Sequence, residues 1–296
     1  GGIAKMNSDW LQAEPVRMWL ANKTDYPLIG PVLGMEATAW IVSYGGMLFD
    51  LVLPFLLLSK KTRPWAFGAM VLFHMTNEML FTIGIFPVMA TALTTVFFPA
   101  DWPRRVFSTH WFSKTAVEWK RNWPAQTVRA RVGAYAVLGF TFIYMAIQVG
   151  MPLRHFFYPG NANWTEEGHK WAWHMKLRDK DSRGDLLVVD ENGRRRTVDP
   201  DLLPSWQTRK CTTRPDLLLQ FAQHMGKGYE RSGVKGVRVY SRIKCSLNGR
   251  PHRYLVDPNL DLMQVKDGLK YARGIPPLDV PLKGEDSLAD FPNSSP

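Results

Sequence analysis

The sequence predicts an α-helical integral membrane bundle followed by an α+β extramembrane domain with β-hairpins. Three observations carry that fold class. The stretch from Trp65 to Phe98 reads WAFGAMVLFHMTNEMLFTIGIFPVMATALTTVFF and is almost wholly apolar. Long apolar runs persist up to about Tyr158, after which charged residues recur every few positions. In that second part, short alternating runs flank turn residues such as Asn248-Gly249. A mean hydropathy of −0.18 averages two unlike halves. The expected division is a membrane-embedded portion over 1–158, an extramembrane domain over 159–276 and a flexible tail over 277–296.

In chain order, GGIAKMNSDW at 1–10 reads as the end of a helix entering an interface, with Lys5 one helical turn from Asp9. Periodicity alone favours Lys5 as a snorkelling anchor over a buried base. Trp10, Trp19 and Tyr26 fit an aromatic belt. Span A runs from about Met35 to Ser59, with Glu36 at its start, Asp50 near its centre and Pro54 set to kink it. The Trp65–Phe98 stretch is too long for one upright span of about 20 residues. It divides into span B (about Trp65–Thr82) and span C (about Ile83–Phe98), with a turn near Gly84. Span D covers about Val132–Met151, so about four spans are expected. His74, Thr76, Asn77 and Glu78 lie mid-run, where ionisable groups face a protein interior or a wet cavity. A plain helix–helix hydrogen bond remains the simpler reading of that group, as it does of Asp50; Glu36 stays undecided.

In the polar half, Asp185–Val198 reads as a hairpin turning at Glu191-Asn192-Gly193, and Leu202–Gln207 as a loop. Pro215 opens a helix. Val237–Cys245 alternates as one strand, Asn248-Gly249 turns it, His252–Val256 returns, and Asp257-Pro258 ends it.

The chain carries a formal net charge of +11. Its cations are scattered and many flank apolar runs, which suits lipid headgroups rather than nucleic acid. Lys60, Lys61 and Arg63, and the basic loop Asp101–Arg131, should share the cytoplasmic side. An even number of spans then separates them. Lys5, the turn near Gly84 and the polar half fall together on the outer side. That side is periplasmic in a bacterial inner membrane, or lumenal in an endoplasmic-reticulum membrane.

The chain opens Gly-Gly-Ile without an initiator Met or a basic signal region, and reads as a piece of a larger membrane protein. Its two cysteines, Cys211 and Cys245, either pair in an oxidising compartment or stay free thiols. No metal-ligand spacing, phosphate loop or nucleophile elbow is present. His155, His169 and His174 are read as structural.

Four stretches carry a resemblance. They are GGIAKMNSDW; FHMTNEMLFTIGIF at 73–86 with FPADWPRR at 98–105; NANWTEEGHKWAWHMKLRDKD at 161–181; and PDLLLQFAQHM at 215–225 with SLNGRPHRYLVDPNLDL at 246–262. In this order they resemble the vitamin K-dependent γ-glutamyl carboxylase family, whose membrane part is called the HTTM domain. The resemblance implies an enzyme that couples oxidation of vitamin K hydroquinone by O2, giving the epoxide, to addition of CO2 to protein glutamate. It implies Lys5 as the base for the quinol, and His74 and Asn77 as pocket residues that bind it. It implies membrane lipid and a glutamate-bearing protein or peptide as partners. Ala4 stands where animal members carry a second lysine, and His224 where they place a disulfide cysteine. The alternatives are a non-catalytic HTTM scaffold and another quinone-linked membrane oxidoreductase.

The chemistry fits that implication. A protonated lysine cannot take a proton, and apolar burial favours the neutral amine. A γ-carbon proton is too weakly acidic for a side chain, so an oxygen-derived base, kept from water, answers the need.

Overall fold

A computed structural model describes residues 1–81, 83–99, 102–103, 128–266 and 274–282. The basic loop expected over Asp101–Arg131 falls mostly outside the described residues, as does most of the tail expected after residue 276.

The N-terminal part is helical. A 3-10 turn, Ile3–Lys5, leads into α1 (Ser8–Leu11), then α2 (Val16–Ala21), α3 (Gly30–Leu33), α4 (Glu36–Leu58), α5 (Arg63–Phe81) and α6 (Phe86–Thr94). Extended backbone at Asn7 separates Ile3–Lys5 from α1, so residues 1–10 are two short turns rather than a helix end. The expected Lys5–Asp9 pairing therefore gives way: Lys5 meets Asp50, and Asp9 meets Arg250. The reason is local, because an i,i+4 pair needs continuous helix between its members. Glu36 pairs with Arg17 and accepts from Trp40 Nε1 at 2.8 Å, which makes it a clasp at the start of α4.

Two described helices are long and apolar enough to cross a membrane, Glu36–Leu58 and Val132–Phe157. They correspond to spans A and D. The other two expected spans differ: α5 is long enough but diluted by its polar residues, and α6 with the 3-10 turn after it is a shorter apolar helix, Phe86–Phe97. Gly84, at φ +79°, turns the chain between α5 and α6, where an L side chain would be strained. Glu78 holds that turn, its Oε2 accepting the Ile83 and Gly84 amides at 2.9 and 3.0 Å.

A further long helix, α7 (Val128–Leu153), carries the chain into the α+β part. There follow α8 (Ala162–Thr165), β1 (Lys180–Arg183), β2 (Leu186–Val189), β3 (Arg195–Val198), α9 (Ser205–Thr213), α10 (Pro215–Arg231), β4 (Arg238–Ser241), β5 (Lys244–Leu247) and β6 (Arg253–Tyr254). Two antiparallel sheets form, in the orders β1-β5-β6 and β3-β2-β4. The hairpin expected over 185–198 is β2–β3, with Gly193 at φ +74° in its turn. The single strand expected over Val237–Cys245 is instead β4 and β5, one in each sheet. The chain changes sheet at Arg242-Ile243, where a Cβ on Gly184 would come within 2.4 Å of the Arg242 carbonyl oxygen. The loop expected at 202–207 becomes helical from Ser205.

Leu218, Phe221 and Ala222 of α10 pack with Val188, Val239, Ile243 and Leu247 in the core of this part. Ile275 joins them, and Trp164 Nε1 donates to the Pro276 carbonyl at 2.9 Å. Arg250 Nε likewise reaches the Val280 carbonyl at 3.0 Å, so the start of the expected flexible tail is tied down. Cys211 and Cys245 are free thiols.

Candidate active site at the junction of the two parts

The N-terminal segment lies against α4 because its residues permit close approach. A Cβ on Gly2 would sit 2.7 Å from Leu51 Cγ and 3.0 Å from the Leu51 amide nitrogen, so glycine lets this backbone rest on the helix. Trp10 fixes the other end. Its Nε1 donates to the Ser43 carbonyl and the Ser43 hydroxyl donates to the Trp10 carbonyl, each at 2.9 Å. Between these anchors, Asn7 accepts from the Trp10 amide at 3.1 Å and donates to the Ala4 carbonyl at 2.9 Å.

Lys5 is thereby set on the face of α4 that carries Asp50, two turns beyond Ser43. Its amine pairs with Asp50 Oδ2, and its Nζ lies 5.4 Å from the Trp10 ring centroid. The Lys5 side chain is 14% exposed and that of Asp50 25%, which makes this a shielded ion pair.

His74 lies on α5, which packs against α4. The imidazole meets Phe73 and Phe86 edge-on, each with ring centroids 5.6 Å away, and Phe73 stacks on Phe49 of α4 at 4.3 Å. Its Nδ1 is buried with no hydrogen-bond partner. Asn77 follows three residues later, on the same side of α5. It is partly buried, and no hydrogen bond to its side chain forms among the described residues. Of the residues expected at a site, Lys5 thus pairs with Asp50 of α4, while His74 and Asn77 lie a turn apart on α5. No hydrogen bond joins Lys5 to either of the other two among the described residues.

An aromatic wall with one orphaned imidazole nitrogen and one unpaired amide fits a flat aromatic molecule with polar oxygens. Among the described residues, no three His, Cys, Asp or Glu side chains are grouped to hold a metal ion.

Sequence reasoning passed over two features. The expected partner of Asp50 is a neighbouring helix, whereas the structure pairs it with Lys5 of the N-terminal turn. Asp9 and the Asn248-Gly249-Arg250 turn lay inside recognised motifs, but only the fold brings them together. The Asp9 carboxylate, 2% exposed, accepts from Asn248 Nδ2 at 2.7 Å and from Arg250 NH1 and NH2 at 2.7 and 2.8 Å. Burial pushes the Asp9 carboxyl up, but the hydrogen bonds from Arg250 and Asn248 outweigh it and hold it below the usual carboxylate range.

A second polar cluster borders the junction. Lys180 is buried, its Nζ donating to Glu166 Oε1 at 2.8 Å and to the Trp164 and Thr213 carbonyls at 2.8 and 3.1 Å. Arg178 completes the set with a 2.7 Å bond to Glu166 Oε2. His155, His169 and His174 stack edge to face, with centroids 4.7 Å apart for the 155–174 pair and 5.4 Å for the 169–174 pair. Burial, reinforced by nearby cations and imidazoles, pushes His169 down to about 3 and His174 down to about 4.

The described residues define a class: a helical part with two helices long and apolar enough to cross a membrane, carrying an α+β part with two sheets. Residues 1–102 match the HTTM domain, and residues 134–279 match the vitamin K-dependent gamma-carboxylase lumenal domain. The chain belongs to the vitamin K-dependent gamma-carboxylase family. No solved structure matches it.

Proposed function

We propose that this protein is an integral-membrane carboxylase that couples oxidation of a vitamin K-type hydroquinone to its epoxide with conversion of protein glutamate to γ-carboxyglutamate. The Lys5–Asp50 pair, shielded on α4, is the observation that carries this reading. Bound reduced vitamin K, with O2, supplies the strong base that removal of a glutamate γ-proton requires; CO2 then adds at that carbon.

The residues have distinct tasks. Asp50 holds the Lys5 amine in place on α4. The Lys5 amine, in its neutral form, takes a proton from the quinol hydroxyl. His74 and Asn77 direct hydrogen bonds toward the quinol oxygen as negative charge grows there. Phe73 and Phe86 exclude water, which would quench a strong base. The exposed apolar sides of α4 and α7 face lipid, and the α+β part lies on the outer side, periplasmic or lumenal. Contacts support the common placement of three stretches: Lys176 Nζ donates to the Phe81 carbonyl at the end of α5, and Asp9 joins Arg250.

The test supplies the protein in lipid with vitamin K hydroquinone, a glutamate peptide and labelled bicarbonate. Labelled carboxyglutamate by mass spectrometry is expected. Quinol oxidation without label would point to another quinone-linked oxidoreductase, and neither product to a scaffold. Lys5→Ala should lower epoxide formation by about 10²–10⁴-fold, the usual range for a general base; an undiminished rate would remove Lys5 from its role.

A further inference from the structure

We propose that Asp9 is a positioning residue for Lys5, and that the Asn248-Gly249-Arg250 turn of the α+β part is the anchor through which it acts. This rests on the reading of Lys5 as the base.

The argument begins with what holds Lys5. On the α4 side the contacts are a glycine backbone on Leu51 and the Trp10–Ser43 exchange. On the other side there is one anchor of a different kind. Asp9, four residues from Lys5, receives three hydrogen bonds from a turn some 240 residues further along the chain. Two of them come from one planar guanidinium, which fixes direction as well as distance. The turn itself is tight: Asn248 and Gly249 have φ +51° and +76°, the signature of a hairpin turn. Asn248 is held from behind as well, its Oδ1 accepting the Asp179 amide at 2.7 Å.

Burial makes the contact selective. The side chains of Arg250 and Asp9 are 8% and 3% exposed, so neither has bulk water to fall back on. Nearby, Leu177 of the α+β part, 2% exposed, enters the core formed by Trp10, Ala13 and Leu20. The segment that carries Lys5 is therefore shared property of both parts. Its register on α4 depends on where β5 and its turn sit. A shift of the α+β part moves Asp9, and Asn7 and Trp10 transmit that shift to Ala4 and Lys5.

The experiment uses the full chain in lipid nanodiscs. Removing one partner alone would strand a buried charge, so the informative variant is Asp9→Asn with Arg250→Met. It leaves one hydrogen bond from the turn, donated by Asn248, where there were three. The expected result is a folded protein whose kcat for epoxide formation falls about 10–100-fold, the scale of a misplaced reacting group, with the quinol KM unchanged. Acetylation of Lys5 by acetic anhydride, read by mass spectrometry, should rise in the same variant. Arg250→Lys keeps the charge without the fork; it should give intermediate values of both readouts and serves if the double variant fails to fold. Wild-type kcat in a folded variant would overturn the proposal, as would a lower kcat with unchanged Lys5 acetylation. Failure of the underlying reading looks different: Lys5→Ala would keep its epoxidation, while acetylation in the double variant would still report whether the clamp holds Lys5.

Discussion

At the scale of single residues, the chemistry depends on small groups that let backbones meet. Gly2 rests on Leu51 with no room for a Cβ. Gly2→Ala should therefore destabilise the helical part by about 1–3 kcal/mol, the usual cost of overpacking, measured as a lower thermal midpoint. Asp50 is the residue whose role changed most between sequence and structure. Polar character at mid-span marked it as inward-facing, but its partner lies 45 positions earlier in the chain. Asp50→Asn should lower epoxide formation about 10²-fold while quinol binding, followed by fluorescence quenching, stays intact. Cys245 shows the opposite case, a buried group with no chemical task. Burial pushes its thiol up to about 12, and Cys211 is more exposed. Iodoacetamide should label Cys211 well before Cys245, and reducing agent should leave the thermal midpoint unchanged.

At the scale of elements, local signals gave the right element where the turn chemistry was explicit. Asn192-Gly193 and Asn248-Gly249 both mark tight turns that the structure contains. Gly249→Val should cost about 1–3 kcal/mol in chemical denaturation. It would put a β-branched side chain at φ +76°, with its Cβ 3.2 Å from Met18 Sδ. Where signals failed, the reason was tertiary. Alternation runs unbroken through Val237–Cys245 because burial alternates across the link between β4 and β5, and only the pairing of each strand shows that they belong to different sheets. The run Trp65–Phe98 had length for two spans, yet its second half forms a shorter helix after the turn held by Glu78.

At the scale of the whole molecule, the junction concentrates the titratable groups. His169 and His174 are neutral when folded, at about 3 and about 4, against about 6.5 in an unfolded chain. Between those values the unfolded state binds more protons, so stability rises with pH and is lost on acidification from about 6.5 toward 4. Asp9 adds to the loss at lower pH, since a depressed carboxyl stabilises above about 3.9 and ceases to as pH falls through its folded value. The thermal midpoint should fall steadily below pH 6.5, and His169→Gln with His174→Gln should flatten that dependence.

The sequence by itself determined the family, the two-part organisation and the elements whose signals are local: α4, α5, the Pro215 helix and the hairpin turns. It also placed Lys5, His74 and Asn77 as the residues to watch. Apolar length, turn residues and ordered motifs are short-range properties, legible without coordinates. Only the tertiary structure decided the partners: Lys5 with Asp50, Asp9 with Arg250, Glu36 with Arg17. Sequence spacing favoured a helical Lys5–Asp9 pair, but burial selects partners by spatial closeness. A charge removed from water must find its counter-ion wherever the fold brings one.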